Sequence, residues 1–275
     1  MVAVVTDSAA NLPGELAREL GIEIVPMYLR FGERVYRDGV DLTPADFYER
    51  LVRDDEPAST SVPSPGDYLE AYQRAGHDEI VCVTVASSMS SSSQQATFAS
   101  ERFPGRVVVV DSMTASMAEG FVAEEAARAA VAGGSIESVA ARASEVAHRT
   151  RLLATVGTFE FLRRSGRVNK LQAYAATMLD IKPVFGFKDG EIAAVARTRT
   201  RRRAVDRILE DTVAEAGDRP LHLAVIHAAA EAEAHDLLDR LADRAHVVER
   251  LVVAVTPVIG AHTGPGLLGT TFYCD

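Results

Sequence analysis

The chain has 275 residues, 47% of them hydrophobic and 25% charged, with two cysteines, no tryptophan and a formal net charge of -10. That composition excludes a disordered chain and suits a globular protein with one large core or two ordinary ones. The negative balance opposes a general affinity for nucleic acid, whose phosphates would meet a repulsive far field. No apolar run approaches the roughly 20 residues that span a bilayer, and MVAVVTDS enters a strand pattern without a basic leader. The expectation is a cytoplasmic protein with no stable membrane insertion, transient membrane contact remaining open.

Val2 to Thr6, Ile22 to Val25, Ile80 to Val85 and Val107 to Val110 are short β-branched runs without alternation, the pattern of strands buried on both faces. Helical patterns separate most of them. One opens at Asn11-Leu-Pro-Gly and ends at Gly21, one opens at Thr43-Pro44, and one opens at Ser64-Pro65 with Asp67 three residues after the cap. This alternation predicts an α/β half built on a parallel sheet. Two Ala-rich helices are expected over 116–132 and 135–149, parted by Gly133-Gly134 with Ser135 as N-cap.

From Leu152 onward the pattern changes. IKPVFGF and IAAVAR flank Lys188-Asp-Gly-Glu191, which predicts a hairpin about the Asp-Gly turn. LHLAVIH, HVVERLVVAV and TTFYC supply further strands among helices over 201–216 and 231–243. The fold class expected is α/β in two lobes: an N-terminal parallel α/β domain over 1–150, and a C-terminal α+β domain with a mixed or antiparallel sheet over 151–275. Cys82, in an apolar run, and Cys274 lack metal-ligand spacing and read as buried or idle thiols.

Directly after the third strand, six serines occupy the seven positions Ser87 to Ser93, interrupted only by Met89. They are framed by a strand and by QQATFASERF, which reads as a helix, so a linker is a poor account of them. A strand-to-helix junction at the carboxyl end of a parallel strand presents amide N–H groups beside hydroxyls, which suits an anion. Helix capping alone is the bland alternative. No G-x-S-x-G surrounds these serines, which weakens a hydrolase reading without removing a Ser90 and His262 pair.

Gly264, Gly266 and Gly269 match G-x-G-x-x-G with no room for the unit that motif needs. No phosphate-binding P-loop or H-E-x-x-H is present, and the seven histidines are not spaced as ligands. No cofactor and no metal are implied. Donor-rich stretches remain: Thr60-Ser61 ahead of a helix, the serine cluster, and a Gly-rich loop from Gly260 to Gly266 that would carry His262 toward a ligand. Separately, six arginines fall in the eleven positions from Arg197 to Arg207. A solvated helix face is their bland reading.

Taken in order, these stretches resemble the DegV family, the fatty-acid-binding subunits of bacterial fatty acid kinases. The resemblance spans the chain. It rests on Val4-Val5-Thr6-Asp7-Ser8, Thr60 to Ser64, Ser87 to Ala96, Ser165-Gly166-Arg167, Ile181-Lys182-Pro183, Arg199 to Ala204 and the stretch from His262 to Gly266. The chain departs from the family pattern at Ser91, where a glycine is usual, and at Ser92 and Ser93, which replace Thr and Tyr.

The resemblance implies two lobes with a long acyl chain buried in a tunnel between and into them. It places the carboxylate at their junction, on Thr60, Ser90 and His262 with Ser61 beside them, and with Ser88, Ser91, Thr263 and Gly264 in the vicinity. The fatty acid is then a ligand, and catalysis is expected on an ATP-dependent fatty acid kinase. A downstream acyltransferase would receive the acyl phosphate for phospholipid synthesis. Arg167, Arg201, Arg202 and Arg203 are the expected kinase-docking residues. A Ser/His acyl hydrolase or transferase and a binding protein for another amphiphilic carboxylate are the alternatives.

Overall fold

The computed structural model describes residues 1–53, 58–166 and 181–275. The four β-branched runs form one parallel sheet: β1 (Val2–Asp7), β2 (Ile22–Val25), β6 (Glu79–Thr84) and β7 (Arg106–Asp111), in the order β2-β1-β6-β7. Helix α1 (Gly14–Leu20) ends at Gly21 in the left-handed region, and α3 (Pro65–Ala75) starts with a complete capping box between Ser64 and Asp67. Helix α2 (Pro44–Arg53) follows Thr43, and α4 (Ser92–Ser100) begins within the serine cluster, taking in its last two serines.

Between β2 and β6 lies a feature the sequence did not announce: an antiparallel sheet of β3 (Tyr28–Phe31), β4 (Arg34–Arg37) and β5 (Ala58–Ser61). Each strand has only four residues, and ASTS carries no apolar alternation, so its partners and not its composition make it a strand. Thr60 and Ser61, expected as the approach to a helix, therefore sit on β5, with Thr60 opposite Leu29.

Helices α5 (Met117–Val131) and α6 (Ile136–Arg149) match the Ala-rich segments, with Ser135 capping α6. Helix α5 is buried almost all round, because it packs on β1 of the first sheet and on β13 (Leu268–Cys274) of the second. Small side chains permit that double contact. The second sheet adds β8 (Arg151–Thr155), β9 (Lys182–Lys188), β10 (Glu191–Thr198), β11 (Leu221–His227) and β12 (Val247–Ala254), in the order β10-β9-β8-β13-β11-β12. It is mixed: β11 and β12 are parallel, joined through α9 (Glu231–Ala242), and the other pairs are antiparallel. The hairpin turns at Asp189 and Gly190 with φ of 52° and 77°, as a two-residue Asp-Gly loop requires.

Helix α8 (Arg201–Ala216) covers one face of this sheet, capped by Thr200. One cluster of buried side chains runs from Val4 and Phe47 through α5 to Phe185, Ile226 and Tyr273, so the two sheets share core across that helix. Cys82 and Cys274 are both buried and unbridged. Among the described residues, no helix is long and apolar enough to cross a membrane, and no group of three or more His, Cys, Asp or Glu is placed to hold a metal ion.

Candidate functional site

In the order β2-β1-β6-β7 the chain leaves β1 toward one side of the sheet and β6 toward the other, so the carboxyl ends of β1 and β6 form the topological switch point. A crevice must open there. Asp7 ends β1, and its buried carboxylate accepts the amide N–H of Ala9 at 3.0 Å and that of Val85 at 3.2 Å, which ties together the two turns leaving these strands. Burial pushes the Asp7 carboxyl up to about 6, against the lowering effect of those amides and of the Ser92 and Tyr68 hydroxyls. Glu119 on α5 lies in the same buried acidic spot, bonded by the Thr6 hydroxyl at 3.3 Å, and burial together with Asp7 raises it well above the carboxylate range.

The serine cluster turns directly beside this point. The amides of Met89 and Ser90 donate to the Ala86 carbonyl, Ser90 Oγ lies 3.0 Å from Ser92 Oγ, and the Ser92 amide donates to Ser90 Oγ at 3.2 Å. Ser90 is thus linked through Ser92 to Asp7. Ser91, where the family pattern has glycine, has φ of -86°, a conformation any residue adopts.

The third part of the site comes from the far end of the chain. His262 is not on a loop: it occupies the last turn of α10 (Pro257–Thr263). Pro257 sits at the first turn of this helix, where its fixed φ is preorganised, a signal that the glycines following it overshadow. Gly260 is where α10 crosses α2, since a Cβ there would lie 2.5 Å from Tyr48 Oη and 2.8 Å from Phe47.

Contacts from the N-terminal half then hold α10 in place. Asn11, at φ 58°, donates to the Ala254 carbonyl and accepts the Thr256 amide, both at 2.8 Å. Asp38 accepts the Val258 amide at 3.1 Å and the Ser8 hydroxyl at 2.7 Å, and Ser8 Oγ accepts the Met27 amide at 3.0 Å. The result is that His262 Nε2 and Thr60 Oγ1 meet at 2.8 Å. Sequence reasoning missed Asn11 and Asp38, and gave Asp7 and Ser8 no role beyond a motif. The only signal was that V-x-T-D-S places two polar residues directly after a buried strand.

Thr60, Ser61, Ser90 and His262 line one pocket of ≈ 60 Å³, walled by Ala9, Met27 and Val85. Met89, Ala115, Ile259 and His262 also belong to a second pocket of ≈ 60 Å³, whose lining is mainly apolar and whose far walls include Leu152, Phe185, Phe187 and Ile226. Polar and apolar spaces therefore adjoin across a common wall. The other anticipated residues are placed differently. Ser88 is exposed and donates to the Gly190 carbonyl, and Ser91 is exposed at the start of α4. Thr263 lines the apolar pocket but bonds the Ile259 carbonyl at 3.0 Å, and Gly264 is packed under Phe161.

The arginines divide as well. Arg201 turns inward, bonding the Gly266 carbonyl and, at 3.0 Å, Glu233, so it braces the turn after α10 and is no part of an open face. Arg202 projects outward with its side chain 92% exposed, and Arg203 is exposed. Arg167 lies outside the described residues.

The fold and the adjoining pockets define a class: a two-lobed α/β protein with a hydroxyl-rich pocket at the switch point of its parallel sheet and an apolar pocket next to it. Residues 1–275 match the family described as an uncharacterised protein, DegV family. A DegV domain-containing protein of Streptomyces coelicolor is 37% identical over 272 residues, 98% of this chain and 96% of the relative. A fatty-acid-binding DegV family protein from Thermus thermophilus superposes with a TM-score of 0.93 at 33% identity, over 100% of this chain and 99% of that one. A stearic acid-binding protein from Eubacterium ventriosum superposes with a TM-score of 0.89 at 26% identity, over 100% and 98%. The chain belongs to the DegV family.

Proposed function

We propose that this protein binds a long-chain fatty acid and presents its carboxylate to an ATP-dependent kinase, then carries the acyl phosphate toward an acyltransferase. The observation that supports this most directly is the common wall between the pocket of Thr60, Ser90 and His262 and the mainly apolar pocket. A chain of about fourteen methylenes contributes roughly 11 kcal/mol of gross burial at about 0.8 kcal/mol each, before ordering costs. An unpaired buried carboxylate would cancel much of it. Hydroxyls and an imidazole satisfy that group without the double grip of an arginine, leaving one oxygen able to attack a phosphate.

The likeness to fatty-acid-binding relatives supports the ligand class. The kinase and acyltransferase rest on the family resemblance, the phosphoryl donor being assigned to the partner because the chain carries no nucleotide motif. The acyl phosphate is prone to hydrolysis, and a dry pocket protects it.

Mass spectrometry of an organic extract from protein made in bacteria tests the reading, with a stoichiometric fatty acid expected. Failure to recover one, and failure to take one up when added, would overturn it. Thr60→Ala and Ser90→Ala should each weaken carboxylate binding by about 1 to 3 kcal/mol, the range for a hydrogen bond to a charged group. Phosphorylation should fall further than occupancy, because the tail still holds while the attacking oxygen is no longer oriented. Unchanged turnover with kinase in the double variant would remove both residues from the site.

Arg202 and Arg203 are the described arginines that remain as docking residues, exposed at the first turn of α8 where cations oppose the helix dipole. Their replacement by Glu should leave lipid binding intact and raise the apparent KM of the carrier as a kinase substrate, most clearly at low salt. Equal KM for the folded, loaded double variant would exclude them.

A further inference from the structure

On the reading above, the longest acyl chain this protein holds depends on what closes the apolar pocket, and the pleat of β9 supplies the closing residue. Side chains of alternating parity on a strand point to opposite faces. Val184 packs into the core under α8, whereas Phe185 and Phe187 turn the other way and line the apolar pocket. Between them Gly186 lies so close to β8 that a Cβ would sit 2.2 Å from the Leu152 carbonyl oxygen, so only glycine lets the two strands approach this closely. Phe187 also faces Ile192 across the hairpin, and Ile192 lines the same pocket.

Phe187 also borders a second space. It lines a cleft of ≈ 380 Å³ whose other walls include Met113, His148, Arg151, Lys188 and Asp189. Among the described residues, Phe187 is the one that both spaces share. On one side of this residue is an apolar space where methylenes leave water, and on the other a charged cleft where they gain far less. We infer that Phe187 is the partition that ends the acyl-chain pocket, and so a specificity-determining residue for chain length.

The test offers the protein an equimolar mixture of saturated fatty acids from twelve to twenty-two carbons and reads the bound distribution by mass spectrometry. Phe187→Ala opens the pocket toward the cleft, so the bound distribution should move to longer acids, by up to about fourfold in relative occupancy for each further methylene that leaves water. Phe187→Trp fills more of the space and should move it to shorter acids. Phe187→Leu, which keeps an apolar residue on the strand, should shift it in the alanine direction by less and carries the test if the alanine variant does not fold. If the original chain binds fatty acid and the variants keep its length profile, the assignment of Phe187 is overturned while the carrier reading stands. If the original chain takes up no fatty acid of any length, the carrier reading falls and this inference falls with it.

Discussion

Gly264→Ala is expected to lower stability by about 3 to 5 kcal/mol and to displace His262, two effects with one origin. Gly264 follows α10 with φ 70° and ψ 175°, a region open to glycine and strained for any L side chain. A Cβ there would also lie 2.2 Å from the Phe161 ring, on α7 (Glu160–Ser165), which packs against α10. Gly21→Ala is a milder reference, since Gly21, at φ 65° and ψ 29°, lies in the left-handed helical region with nothing within 4 Å of a new Cβ, and should cost only about 1 to 2 kcal/mol. Denaturant midpoints of the two variants decide it. A Gly264→Ala protein within 1 kcal/mol of the original would mean that the turn after α10 does not hold the site.

Asp38→Ala should cost about 2 to 4 kcal/mol and weaken retention of ligand, because it leaves the Ser8 hydroxyl and the Val258 amide without their acceptor in a buried place. Asp38→Asn keeps one carbonyl acceptor and should cost less. The pH dependence separates charge from hydrogen bonding. Burial pushes the Asp38 carboxyl up to about 6, above its unfolded value, so the folded state binds this proton more tightly. This group's contribution to stability is therefore greatest below about pH 4 and is lost as pH rises through about 6, at up to about 1.4 kcal/mol per unit. Asp7, also raised to about 6, acts in the same sense. Asp38→Asn should flatten the fall in stability between pH 4 and 7 without abolishing it. An identical pH profile in the asparagine variant would show that Asp38 does not take up a proton on folding in that range.

Both predictions concern α10, the element whose importance was least visible in the linear chain. His262 was singled out on a Gly-rich segment, yet nothing in that segment indicates that Asp38 and Asn11, 220 and 245 residues away from the amides they accept, fix its position. Thr60 is a comparable case. A four-residue polar strand has no periodicity of its own, and it pairs because β3 presents free backbone groups beside it. Ser90, by contrast, stands at a strand-to-helix junction that is legible locally, because the apolar strand before it and the helical pattern after it are both short-range signals.

The parallel sheet, the Ala-rich pair of helices and the Asp-Gly hairpin are all readable from the linear chain. Their hydrophobic runs, caps and turn residues act over a few residues, where backbone sterics and burial pattern suffice to choose a conformation. Folding alone establishes that Thr60 and His262, 202 residues apart, stand within a hydrogen bond of one another, that Arg201 faces inward while Arg202 faces out, and that Phe187 lines two different cavities. These depend on how packed elements meet, and that geometry is set by the whole core acting together and not by any stretch of chain read alone.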